Sequence, residues 1–295
     1  MTLIMDMLSF TFMQRAIIVG LLISLCAALL GVSLVLKRYA MIGTGLSNVG
    51  FAAMVIAGAI TIDFVVLADI LPGWAVWGIE WLLDPLVFSM IIVVAAAFLL
   101  LRLNESSKIN GDSAVALIST SGLAVGVIVM GLTTGITLHI CTILFGSIFA
   151  MTAASMYWSI GLSVVVILLF VVFYKQLFAV TYDEDFSKAT GTKAEVYKSM
   201  LALLTAVTVV LGMRMMGALL IASLTLFPAL SAMRICKRFL SVVIAAAVIG
   251  VVCFFIGMTA SFGLDLPPGA SVVGVNLIVL LLLSGVSLVR KGGRV

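Results

Sequence analysis

From Ser113 to Tyr174 the chain carries no Asp, Glu, Lys or Arg. A water-exposed domain has about a quarter of its residues charged, whereas here only 9% of 295 residues are, against 64% hydrophobic. A disordered chain would be poor in Leu, Ile, Val and Phe rather than crowded with them. The remaining solution uses lipid as solvent, and an all-α, polytopic helical bundle is expected.

The uncharged runs count the crossings. A crossing needs about 20 apolar residues, and Ala16 to Leu36, Tyr39 to Ile62, Phe239 to Met258 and Leu266 to Val289 meet that length outright. The uncharged stretch is interrupted by Gly131, Gly135, Gly146 and a Thr-rich segment, so it reads as two spans, Ala114 to Leu132 and Tyr157 to Tyr174. Pro85 to Leu101 adds another. Ser199 to Met233 is too long for one helix, and Gly212, Arg214 and Gly217 divide it near its middle. The expectation is nine transmembrane helices, or eight if the divided pair is one kinked element, in a single transmembrane domain covering residues 1–295.

The basic residues orient the bundle, because cytoplasmic loops carry the excess of Lys and Arg. With the N-terminus outside and the C-terminus inside, all 16 basic residues except Arg15 and Arg214 fall on the cytoplasmic side. The opposite segment from Asp69 to Asp84 has acids and no base, with Trp74, Trp77 and Trp81 where indoles settle at headgroups. The net charge of +4 is thus a topology signal, and it gives no reason to expect nucleic acid as a partner. Bacterial plasma membrane is the expected location.

Several chemistries find no support. The run after Arg15 is too long for a cleaved signal peptide and is closed by Lys37 and Arg38; the Leu before Cys26 is too bulky for lipoprotein processing. Cys26, Cys141, Cys236 and Cys253 have no paired spacing and read as small hydrophobes. Met213, Met215 and Met216 read as packing rather than as soft-metal ligands. Ser47 and the sole histidine, His139, lack the Gly-x-Ser-Gly turn of a membrane serine protease, and Asp63 and Asp265 sit near span ends rather than as a buried acid pair. No Gly-x-x-x-x-Gly-Lys-Ser/Thr phosphate loop occurs. Small-residue spacings at Gly43/Ser47, Ala53/Ala57, Gly122/Gly126 and Gly131/Gly135 let helices approach, as in many bundles.

One polar segment stands out. Tyr182 to Gly191 opens with three acids, continues to Lys188 and ends in glycine. Negative charge at the start and Gly191 as a left-handed stop suit a short surface helix. It is either a solvated loop helix or a docking element for a cytoplasmic motor, and composition does not choose.

The pattern aromatic-Asp-x-acid-x-small-x-x-x-Gly at Tyr182, Asp183, Asp185, Ser187 and Gly191 is followed by the run Met216 to Ala222 and by Pro228, Ala229, Ala232 and Arg234. It is preceded by Lys37 to Gly43, Asp112 and Leu144-Phe145-Gly146, and Leu266 to Ala270 comes before the last span. In this order the motifs resemble the permease subunits of zinc/manganese/iron ABC importers. The resemblance implies two permease copies, a homodimer, around one pathway. It also implies a separate cytoplasmic ATP-binding subunit that uses the ATP, no cofactor in this chain, and an extracytoplasmic solute-binding protein. Tyr182, Asp183, Asp185, Ser187 and Gly191 would couple to the ATPase.

The cargo site departs from the family. Zinc and manganese members are similar to one another in a Gly-Asp-x-Leu-Ser-His run, whose Asp and His lie four apart on one helical face. Here the run is Gly43-Thr44-Gly45-Leu46-Ser47-Asn48, so neutral oxygens replace both ligands. Thr44, Ser47 and Asn48 are the expected path residues. Three cargo readings stay open: a divalent metal selected elsewhere, a chelated metal or small polar organic solute, and a non-ABC channel or secondary carrier. His139 is a candidate entry ligand, although an isolated interfacial histidine is commoner.

Overall fold

The computed structural model describes residues 9–37, 41–68, 85–105, 111–133 and 153–292. Regular structure among them is helical, as lipid requires: with no water to satisfy backbone groups, each crossing closes its own hydrogen bonds. The long helices are α1 (Thr11–Leu36), α2 (Ile42–Ala68), α3 (Pro85–Glu105), α4 (Gly111–Leu132) and α5 (Ala153–Val172). Two short ones follow, α6 (Tyr174–Tyr182) and α7 (Glu184–Ala189), and then α8 (Ala194–Met216), α9 (Ala218–Ile235), α10 (Phe239–Leu264) and α11 (Pro268–Gly292). The Trp-bearing segment Asp69 to Asp84, the Leu144-Phe145-Gly146 motif, His139 and Cys141 lie outside the described residues.

Each of the nine expected spans corresponds to a helix among the described residues. The chain bends by 69° between α5 and α6. Because the 20 residues of α5 rise about 30 Å by themselves, α6 is not needed to complete that crossing. The division of the long apolar stretch falls at Gly217, whose φ of 89° and ψ of 158° are open to glycine and strained for other residues. Gly212 and Arg214 are not the break. Both lie inside α8, and Gly212 is small for another reason: a Cβ there would collide with Ile221 of α9, folded back against it.

With lipid on one side and apolar side chains on the other, burial alone does not order such helices, and close contact through small residues does. The pair α2 and α4 shows it. A Cβ on Gly122 would lie 3.2 Å from Val49 Cα, and one on Gly126 would lie 3.0 Å from Ala52 Cα. Matching 49 with 122 and 52 with 126 makes the two helices parallel, as two crossings in the same direction must be. The Gly122/Gly126 spacing thus serves packing, whereas Gly131 meets nothing within 4 Å. In α1, Gly31 abuts the Thr225 backbone of α9, and Gly20 abuts Phe254 of α10. Met216 and Met213 are fully buried and reach toward Gly20 and Gly50 respectively, which is packing.

The result is a bundle centred on α1 and α8, the most buried crossings, with α4 and α11 at the periphery. Asp265 ends α10 with a left-handed φ of 52°. Replacing Gly31 by Val is expected to force α1 off α9 and to cost about 1–3 kcal/mol or more, as overpacking does. Thermal unfolding of the detergent-purified chain checks this, with Gly58→Ala, where the space is open and alanine is the better helix former, expected not to lower the midpoint.

Candidate functional site

Two places carry the polar chemistry, both near the end of the bundle where the basic residues gather. The first is the start of α2. Thr44 is exposed and Asn48 half-buried; being four apart, they share one helical face. The Asn48 side-chain amide donates to Ser119 Oγ of α4 at 2.7 Å, which fixes the amide across the parallel pair. Ser47 behaves differently. It is buried, and its hydroxyl donates to the Thr44 carbonyl at 2.9 Å, so it satisfies itself within its own helix. Of the three expected path residues, the structure brings Thr44 and Asn48 together and turns Ser47 inward.

Ser119 escaped the sequence reading, because nothing local links α2 to a serine so far along the chain. Gly43 has a comparable hidden neighbour: a Cβ there would lie 2.6 Å from Thr225 Oγ1, so α9 presses on the base of α2. Among the described residues no three His, Cys, Asp or Glu side chains are grouped to hold a metal ion.

The second place is α6 and α7. Beyond the bend at Phe173, α6 is pinned by rings: Phe178 stacks at 4.7 Å and Tyr174 at 5.5 Å on Phe239, the first residue of α10. Phe173 meets Tyr197 of α8 at 5.9 Å. Such aromatic contacts are at home at headgroup level. The chain then turns at Asp183, whose extended backbone caps α7, its carboxylate accepting from the Phe186 N–H at 2.9 Å. Acids in the first turn favour this helix end. The other end closes as the sequence pattern expects. Gly191 has φ 82°, its N–H donates to the Lys188 carbonyl at 3.1 Å, and the Thr192 N–H donates to the Ser187 carbonyl at 3.0 Å. These two bonds form a Schellman stop.

Ser187 is buried and donates to the Asp183 carbonyl at 2.7 Å. Tyr182 and Phe186 do the opposite, standing 77% and 65% exposed. The expected coupling residues thus divide into those that shape α7 (Asp183, Ser187, Gly191) and those that face outward (Tyr182 and Asp185).

Glu184 is the residue that the sequence reading passed over. Its carboxylate receives Lys198 of α8 at 2.9 Å, Lys188 one turn along α7 at 3.0 Å, and Lys37 at the end of α1 at 3.8 Å. Only Lys188, at i+4, was within reach of sequence spacing. Burial alone would raise the Glu184 carboxyl, but hydrogen bonds from Lys198 and Lys188 and the charges of Lys198 and Lys37 hold it below the usual carboxylate range. Burial pulls Lys37 the other way, down to about 8, against the partial support of Glu184.

The chain matches the ABC 3 transport family over residues 9–287. It belongs to that family. Among curated relatives, the manganese transport system membrane protein MntC of Halalkalibacterium halodurans is 23% identical over 268 residues, 91% of this chain and 85% of the relative. The manganese import system permease protein ScaB of Streptococcus gordonii is 24% identical over 275 residues, 92% of this chain and 90% of the relative. Among solved structures, PsaBC from Streptococcus pneumoniae in complex with Fab superposes with a TM-score of 0.78 at 23% identity, covering 96% of this chain and 94% of that one. The ABC 3 membership makes this chain a multi-pass transport protein of the plasma membrane.

The Lys37 ammonium gives a pH signature. Its folded-state pKa, about 8, lies below its ordinary 10.5, so below pH 8 it is charged in both states and burial destabilises the fold. Between pH 8 and 10.5 the folded form sheds the proton first, and stability rises, on the order of 2–3 kcal/mol in the limit. The thermal midpoint of the purified protein is expected to climb through this window relative to Lys37→Gln.

Proposed function

We propose that this chain is the permease subunit of an ABC importer for divalent metal ions, manganese foremost among zinc, manganese and iron, driven by a separate ATPase. The observation that carries the reading is α7. It is a capped, stopped, six-residue helix held at the basic end of a bundle of this family, and it presents Phe186 outward beside Tyr182, the exposed last residue of α6. Exposed aromatics flanked by charge are what a cleft in a partner protein would receive. The motor is in the partner because the chain carries no phosphate loop. ATP is therefore bound and hydrolysed there, and a solute-binding protein delivers cargo at the opposite end.

Two copies of the chain form the pathway in this reading. α4 is hardly buried within one copy, and it exposes Ser113 and Thr120 on the helix that packs beside Thr44 and Asn48. The Thr120 hydroxyl already donates to the Ala116 and Leu117 carbonyls, so what favours a second copy here is the exposed face of α4 itself rather than an unsatisfied polar group.

The cargo meets a neutral lining. Thr44 and Asn48 supply oxygen without charge, and a divalent ion prefers anionic or softer ligands, so the path holds metal weakly and the delivering protein sets selectivity. The same lining suits a chelated metal or small polar organic solute, whose own groups would hydrogen-bond to Thr44 and Asn48. That is the second reading.

Uptake of radiolabelled Mn2+ by proteoliposomes holding the permease with its ATPase, supplied with the solute-binding protein, tests the first reading. Transport is expected to require ATP, and to fall by about an order of magnitude, within the usual span of coupling energies, when Asp183→Ala removes the cap of α7 or Gly191→Val its stop. ATP-independent uptake would sink the proposal. For the lining, the double variant Thr44→Asp with Asn48→His is expected to raise Mn2+ or Zn2+ binding to the purified permease by more than an order of magnitude in calorimetry. A tight site already present in the wild type would contradict the weak-lining reading.

A further inference from the structure

We infer that Glu184 is the positioning residue through which movement of α7 reaches the base of α2, where Thr44 and Asn48 lie; this rests on the ABC reading above. Three helices converge on its single carboxylate: α1 through Lys37, α7 through its own Lys188, and α8 through Lys198. Lys37 and Lys198 are both buried to 9% side-chain exposure. Two buried ammonium groups sharing one carboxylate make a contact that is expensive to break, because either partner left alone is an uncompensated charge. Asp185 and Phe186 of α7 face outward and can dock, whereas Glu184 holds the ion pairs to α1 and α8.

The second link is a small apolar crevice behind the lysines. Lys37 and Lys198 line it together with Leu34 of α1, Leu201 of α8, and Ile42 and Leu46 of α2. It leaves about 20 Å³ free, room for little more than one water. These side chains of α1, α8 and α2 face one another across that crevice, so a shift of Lys37 and Lys198 reshapes the wall they share with Ile42 and Leu46, which bracket Thr44 in sequence. The path from the docking helix to the lining is therefore Glu184, the two buried lysines, the crevice and the first turns of α2. Lys188 is exposed, serves only α7 itself, and is not on this path.

The test uses proteoliposomes of the whole complex, permease with its ATPase and solute-binding protein, and reads Mn2+ uptake and ATP hydrolysis in the same sample. In Glu184→Gln, hydrolysis is expected to persist while ions carried per ATP fall about tenfold, within the range of coupling free energies (about 5–150-fold). Lys188→Gln should leave the ratio unchanged. To separate relay from folding, the conservative Glu184→Asp keeps a carboxylate among Lys37, Lys188 and Lys198, and the ratio should recover at least partly relative to Glu184→Gln. An unchanged ratio in Glu184→Gln overturns the inference, and so do uptake and hydrolysis falling in proportion, or Glu184→Asp no better than Glu184→Gln. Wild-type uptake that ignores ATP would instead remove the ABC reading beneath it.

Discussion

Every crossing of this bundle must close its own backbone hydrogen bonds, because lipid offers no partner for an open one. Once that is done, apolar side chains gain little by leaving lipid for one another, and what orders the helices is how closely their backbones come together. Gly31, Gly122 and Gly212 follow from this constraint. Where two helices cross, one contributes a residue without a side chain, and the other lays a backbone or a bulky chain into the gap: Gly31 under Thr225, Gly122 under Val49, Gly212 under Ile221. The polar features sit on a scaffold fixed in that way. Asn48 reaches Ser119 because α2 and α4 run in parallel at glycine distance.

At the basic end the physics changes. Headgroups and water are near, aromatic rings anchor α6 against α8 and α10, and charge becomes affordable in pairs. The acids that start α7 divide the tasks: Asp183 caps the helix and Glu184 moors it to the bundle. The aromatic side chains that are left, Tyr182 and Phe186, face outward because no pocket in this chain receives them among the described residues.

Much of the fold was legible because its signals are local. Uncharged length gives the crossings, and a glycine with no other task marks the turn at 217 and the stop at 191. What was illegible depends on distance or on facing. Lys37, Glu184 and Lys198 are far apart in sequence, and only the i,i+4 partner Lys188 could be read. Thr44, Ser47 and Asn48 look alike in a helix that is apolar nearly all round, since such a helix does not declare which side meets its neighbours. Hence the inward turn of Ser47 and the pairing of Asn48 with Ser119 needed the packed structure. Gly212 was misread for a related reason: as a breaker it would interrupt a helix, but as a contact it belongs inside one.

Gly31 and Gly43 both meet the same residue, Thr225, one at its backbone and the other at its hydroxyl. α9 is thus wedged between α1 and α2 at a single level, with no slack to slide sideways against either. A side chain added at either glycine would therefore push on α9 and be felt by the other helix through Thr225.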